Sequence, residues 1–271
     1  MAGFAIISCL VLAVSYVGSL YLTKSTLPRD HPKTIKERIL RVSIVCILGP
    51  IFVYFVMEEG KRNIFWMLLG LHGNRILIAA IAPLILTIIL FAGPLVLYFV
   101  LEGFQGVKAD IFSTEYYTDL KWYRTLVVAP VSEELIFRAC MLPLLVPDYG
   151  NSAGIFIAPL FFGVAHFHHI REKLKAGNEL VPVLLSSFFQ FSYTTLFGAY
   201  SAFLFLRTGH LIGPVICHAF CNMMEFPDFG SIPDCKYPKL VSIVFVLGLV
   251  LFFYCLFPMT DPVIYDSIYW S

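Results

Sequence analysis

The chain has 271 residues, 59% of them hydrophobic and 14% charged, against about 25% charged in an ordinary soluble domain. With 26 Phe, 14 Tyr and a mean hydropathy of +0.81, it carries more apolar surface than one aqueous core can hide. That excludes a soluble globular domain and a disordered chain. Lys+Arg 19 against Asp+Glu 18 leaves a net charge of +1, so no bulk field draws in a nucleic acid.

A membrane span needs about 20 mostly apolar residues. On that criterion the chain reads as an all-α integral membrane protein with about eight transmembrane helices, near 4–22, 39–57, 76–100, 123–145, 151–167, 183–206, 210–226 and 239–257. The first reads as a retained anchor, because Met1-Ala2-Gly3 supplies no basic region before it. Ile64–Leu71 is apolar but too short to span, and is expected at the interface or as a re-entrant piece. Glu58-Glu59, at the end of the second span, reads as an interfacial acidic pair. The connections are short and no internal repeat is visible, so residues 1–271 are expected to form a single polytopic membrane domain.

Lys and Arg set the orientation of such a bundle. Fourteen fall in or beside the odd-numbered loops, including Lys24, Arg29, Lys33, Lys36, Arg38, Arg41 and Arg124. The even-numbered loops hold only Lys61, Arg62, Arg75 and Arg207. The odd-numbered loops are therefore predicted to be cytoplasmic, with both termini on the far side. The seven cysteines are scattered mostly through spans without a CxxC pair, which argues for buried thiols rather than a disulfide framework.

A charge at the bilayer centre costs roughly 2.5–3.5 kcal/mol on insertion scales. The informative residues are thus the polar ones inside spans. The fourth span carries Pro130-Val131-Ser132-Glu133-Glu134-Leu135-Ile136-Phe137-Arg138. Arg138 follows Glu134 by four residues, about 40° round the helix, which is ion-pair spacing. Glu133 is turned about 100° from Glu134 and has no partner on its own helix. Pro130 cannot bond back to Leu126 and predicts a kink just before the acidic pair. The fifth span ends at His166, and the seventh carries His218 and Asn222, i and i+4 on one face. Counted at 1.5 Å per residue, Glu133 sits about 15 Å deep, His166 about 8 Å, and His218 with Asn222 about 6–12 Å from the same side. Their depths overlap, so a cluster in the cytoplasmic half of the bundle is permitted.

A carboxylate, two imidazoles and an amide are sufficient to hydrolyse an amide bond. Glu133 would act as general base on a water, His166 would position or relay, and His218 with Asn222 would donate to the developing oxyanion. One such donor is worth about 3–4 kcal/mol in the transition state. Glu133, His166 and His218 would also make a His₂Glu zinc set, although no HExxH occurs. His168 and His169 read as loop residues rather than ligands. Two further readings remain open on residues alone: a non-enzymatic scaffold in which the polar groups only hold helices together, and a proton or ion transporter.

The ordered set Glu133-Glu134-x-x-x-Arg138, Phe162-x-x-x-His166 and His218-x-x-x-Asn222 resembles the CAAX protease and bacteriocin-processing superfamily. Gly213-Pro214-Val215-Ile216-Cys217-His218-Ala219-Phe220-Cys221-Asn222 is closely similar to its eukaryotic type II CAAX prenyl proteases, the Ras-converting endopeptidases. The specific resemblance covers roughly 120–260; the first three spans match only in character. It implies helices enclosing an intramembrane catalytic cavity, at the cytoplasmic face of the endoplasmic reticulum. It further implies removal of the C-terminal aaX tripeptide from prenylated CAAX proteins, farnesyl or geranylgeranyl, such as small GTPases. Carried over by motif position, Glu133, His166, His218 and Asn222 would be catalytic, with Glu134 and Arg138 supporting and no cofactor. A zinc-dependent protease using the same residues stands as the alternative.

Overall fold

A computed structural model describes residues 2–22, 27–112, 119–167, 170, 173–174 and 177–270, with the backbone alone for residues 2 and 104–112. Among these residues the architecture is all-helical, with no strand. Helix α1 is Ala2–Ser19, α2 Pro32–Val56, α3 Ile76–Leu90 and α4 Ala92–Phe112. A composite helix, α5, runs over 120–140, followed by α6 Leu142–Ala165, α7 Leu180–Thr208, α8 Ile212–Met224 and α9 Pro238–Met259. Among the described residues, three helices (α2, α7 and α9) are long and apolar enough to cross a membrane, or four if the bent pair α3–α4 forms one span. With exposed apolar side chains along α9 such as Val246, Val250 and Phe253, this is a multi-pass membrane protein. Lipid, not water, solvates those faces.

Local chemistry sets the helix ends. Pro32 opens α2 at a position where its missing N–H is no loss, and His31 Nδ1 accepts the amide of Lys33 at 3.2 Å. Gly209, at φ +67°, ends α7 in the left-handed conformation that glycine tolerates best. The expected single span 76–100 is instead broken, with a bend of 64° between α3 and the first part of α4. Pro94 explains the break: it lies four residues after Leu90 and has no N–H for that carbonyl. The expected division near 145–151 falls at Gly150, whose φ of +79° interrupts α6.

The first helix belongs to the core. Its buried residues Ala5, Cys9, Leu12, Ala13 and Tyr16 recur at helical spacing and pack with Ala139, Cys140, Met141 and Leu142 in one cluster. The short piece expected at the interface places Phe65, Leu68 and Leu69 in that same cluster. Glu58 and Glu59 form exposed pairs with Lys61 and Arg62 at 3.3 and 3.4 Å. All seven cysteines are free thiols. Helix α8 lies hard against α3: a Cβ on Gly213 would stand 2.7 Å from the Ala79 carbonyl oxygen. Only glycine admits that approach, which carries the His218 helix into the middle of the bundle.

Candidate active site

The acidic pair sits on α5, whose helical winding changes twice. Arg124–Val128 is π-helical, Ala129–Glu134 is α-helical, and Leu135–Cys140 is π-helical again. The kink expected from Pro130 takes the form of the first wide turn. Ala129 N–H bonds to the carbonyl of Arg124, five residues back. The carbonyl of Thr125 would then look to residue 130 for its donor, and proline has none. Asn222 supplies it from α8, with Nδ2 donating to Thr125 O at 2.9 Å. Asn222 is thereby fixed by one N–H, and its amide retains a second.

Glu134 is the hub. It is fully buried and pairs with Arg138 Nη1 at 3.0 Å, as the i, i+4 spacing predicts. It does more than that pairing. Its Oε1 also takes His218 Nδ1 at 2.6 Å, and its Oε2 accepts from Ser201 Oγ at 2.5 Å. Arg138 is buried as well, with its guanidinium 4.4 Å from the centre of the Phe162 ring. Gly198 makes room for it: a Cβ there would stand 3.2 Å from Arg138 Nη2. Breaking such a buried pair by removing one partner costs about 3–5 kcal/mol, since the other charge is left uncompensated.

Glu133 projects differently, as the 100° rotation requires. Its side chain is 19% exposed, and Oε2 lies 3.7 Å from His218 Nε2. His218 therefore stands between two carboxylates, one at each ring nitrogen. An ionised Glu134 only accepts, so the proton on Nδ1 belongs to the histidine. The 3.7 Å gap on the other side exceeds a direct hydrogen bond. His166 caps α6, its Nδ1 donating to the Phe162 carbonyl at 2.8 Å. In the neutral ring that leaves Nε2 as the acceptor.

Glu133, His166, His218 and Asn222 all line one cavity of about 1320 Å³. Its walls are mainly apolar, with Phe91, Phe197, Phe203 and Phe252 among them. Glu134 and Arg138 lie behind the wall and hold His218 in place. Among the described residues, no three His, Cys, Asp or Glu side chains are arranged as ligands for one metal ion. His168 and His169 fall outside the described residues.

Two participants escaped the sequence reading. Tyr16 of α1 lines the cavity beside Glu133, hydrogen-bonds Ser132 Oγ at 2.9 Å and packs edge-on against Phe137. Ser201, the second, bonds Glu134. Its signal was a small polar residue on the same α7 face as Gly198, three residues earlier.

The sequence that carries this constellation is similar to known proteins. The family model "Type II CAAX prenyl endopeptidase Rce1-like" fits residues 118–224, which hold all six motif residues. CAAX prenyl protease 2 of Homo sapiens is 47% identical over 97% of this chain and 83% of its own length. The enzyme of that name from Arabidopsis thaliana is 31% identical over 97% and 91%. That from Saccharomyces cerevisiae is 34% identical over 80% and 78%. The likeness thus extends well beyond 120–260 into α1–α4, where the sequence reading found similarity of character only. No solved structure matches. Sequence identity of this extent, carried through the helices that build the cavity, makes the chain a member of the type II CAAX prenyl endopeptidase family.

Proposed function

We propose that this protein is an intramembrane endopeptidase that removes the aaX tripeptide from prenylated CAAX proteins, small GTPases among them. The observation that carries the proposal is Glu133, the member of the Glu133–Glu134 pair that reaches the cavity also lined by His166, His218 and Asn222. A water held by the Glu133 carboxylate on its cavity side would give up its proton to the carboxylate as its oxygen attacks the carbonyl of the prenylated cysteine. The carbonyl π electrons move onto oxygen, and His218 with the second N–H of Asn222 would hold that oxyanion. Nδ1 of His218 donates to Glu134, so Nε2 donates to the oxyanion as part of an imidazolium. The C–N bond then breaks as the departing amine takes the proton from Glu133, directly or through His166. The fragments are a new cysteine carboxylate and the free tripeptide. The aromatic walls offer the prenyl chain an apolar groove.

By the same reading, the helical segments cross the membrane about eight times as one domain. The Lys/Arg distribution supports a cavity open toward the cytoplasm with both termini on the lumenal side, and the family likeness supports the endoplasmic reticulum as the membrane. Purified protein incubated with a farnesylated CAAX peptide tests the assignment. Wild type is expected to release the tripeptide, and Glu133→Gln to lose about 10³-fold or more in kcat/KM. Normal turnover by Glu133→Gln would overturn it. The zinc reading is tested separately: activity is expected to survive exhaustive chelation, and complete loss restored by zinc would favour a metal mechanism.

A further inference from the structure

The cavity is lined by charges beyond the one that the hydrolytic chemistry uses. Five of its lining residues carry a formal charge: Glu133, Glu225, Arg29, Arg38 and Arg124. The three arginines come from adjoining pieces of chain: the turn before α2, the first turns of α2, and the start of α5. Arg124 is held in place by Asp30, Nη1 to Oδ1 at 2.7 Å. Arg38 has its guanidinium 5.8 Å from the Tyr21 ring centre. Val42, one turn on from Arg38, lines the same cavity, so this face of α2 leads inward toward Tyr16 and Glu133.

Spacing along α5 gives the scale. Arg124 precedes Glu133 by nine residues, about 13 Å along a helix. Three extended residues span roughly 10–11 Å, and an arginine side chain covers the remainder. A peptide whose scissile carbonyl sits at Glu133 and whose chain runs toward the start of α5 therefore delivers its terminal carboxylate to the arginines after three residues. Guanidinium groups bind carboxylates through paired N–H donors in a fixed plane, so a cluster of them favours an anion over a neutral chain end.

We infer that Arg38 and Arg124, with Arg29, form an anion subsite that holds the free C-terminal carboxylate of the substrate and so measures a three-residue tail beyond the cleaved bond. The inference rests on the endopeptidase reading above and adds to it a reason for cleavage at one fixed distance from the chain end. The bulk membrane surface offers phosphates to the same cations, so the test must separate substrate carboxylate from lipid.

The test uses two farnesylated CAAX peptides in the same membranes, one with a free C-terminal carboxylate and one with a C-terminal amide. Wild type is expected to prefer the acid by roughly ten- to a hundred-fold in kcat/KM, mainly through KM. In the double variant Arg38→Gln/Arg124→Gln that ratio should fall to about two-fold, and Arg38→Lys/Arg124→Lys should restore part of it. The ratio is internal to each preparation, so a partly misfolded variant still reports it. Equal cleavage of acid and amide by wild type would overturn the subsite and would point to lipid phosphate as the ligand of these arginines. An acid preference that survives the double substitution would overturn the assignment to these residues. Cleavage of neither peptide by wild type would instead remove the endopeptidase reading itself.

Discussion

Helix α8 and the turn that leads into it carry two buried histidines with opposite fates. His218 lies eight residues after His210, about 12 Å along the chain direction, and both are buried. His210 packs against His72, ring centres 4.0 Å apart, in a corner closed by backbone: Leu211 N–H bonds to Gly70 O, and His72 Nε2 to Gly209 O at 3.1 Å. His218 is flanked by Glu134 and Glu133 and opens onto the cavity. Burial and residue type are the same. What separates a structural histidine from a candidate catalytic one is a carboxylate at each ring nitrogen and a path to substrate.

The largest effect should come from substituting the two histidines in parallel. His218→Gln is expected to reduce prenyl-CAAX cleavage by about 10²–10³-fold, the scale of a lost oxyanion donor. His210→Gln should leave kcat/KM within about two-fold while lowering the unfolding temperature in detergent. A comparable loss of activity in both would erase the distinction drawn between them.

Next in size is the support behind His218. Arg138→Met leaves Glu134 buried without its cation, and should destabilise the protein by about 3–5 kcal/mol, read as a shift in detergent unfolding. An unchanged unfolding curve would mean that Glu134 is held by His218 and Ser201 alone. A smaller effect should follow from Ser201→Ala, which removes one donor to Glu134 and should cost about 1–3 kcal/mol. If Glu134 positions His218, that variant also lowers kcat more than it raises KM; a loss confined to stability would make the serine purely structural.

The smallest effect lies at the surface. The Arg124 guanidinium bonded to Asp30 holds that carboxyl below its usual range. The stabilisation is therefore fully present above the ordinary aspartate pKa, near 4, and is lost as pH falls through the lowered value. Asp30 is half exposed, so Asp30→Asn should change stability by less than about 1 kcal/mol at pH 7, with the difference vanishing in acid. A difference that persisted at low pH would mean that Asp30 acts through something other than its charge.

Much of the site was legible because helical periodicity constrains neighbours within one turn. Glu134 and Arg138 pair at i, i+4 as expected, and Glu133 diverges from them by its 100° rotation. The break at Gly150 and the wide turn before Pro130 also follow from one residue's backbone chemistry. Pro94 broke a span that hydropathy alone joined, because a running apolar count does not register a missing N–H. Tyr16 and Ser201 were illegible for a different reason. Each acts on a residue 60 or more positions away in sequence, and nothing local distinguishes them from other hydroxyls in apolar helices.

The sequence by itself determined a membrane-embedded helical chain, the order of its polar motifs and the family they resemble. Composition sets the solvent a chain requires, and motif spacing is a one-dimensional property. Only the tertiary structure decided that His218 sits between both glutamates, that Asn222 fills the donor Pro130 lacks, and that three arginines share the cavity with Glu133. Those facts depend on which faces of separate helices oppose one another. That is set by close packing at positions such as Gly213 and Gly198, and the pattern within any single helix does not contain it.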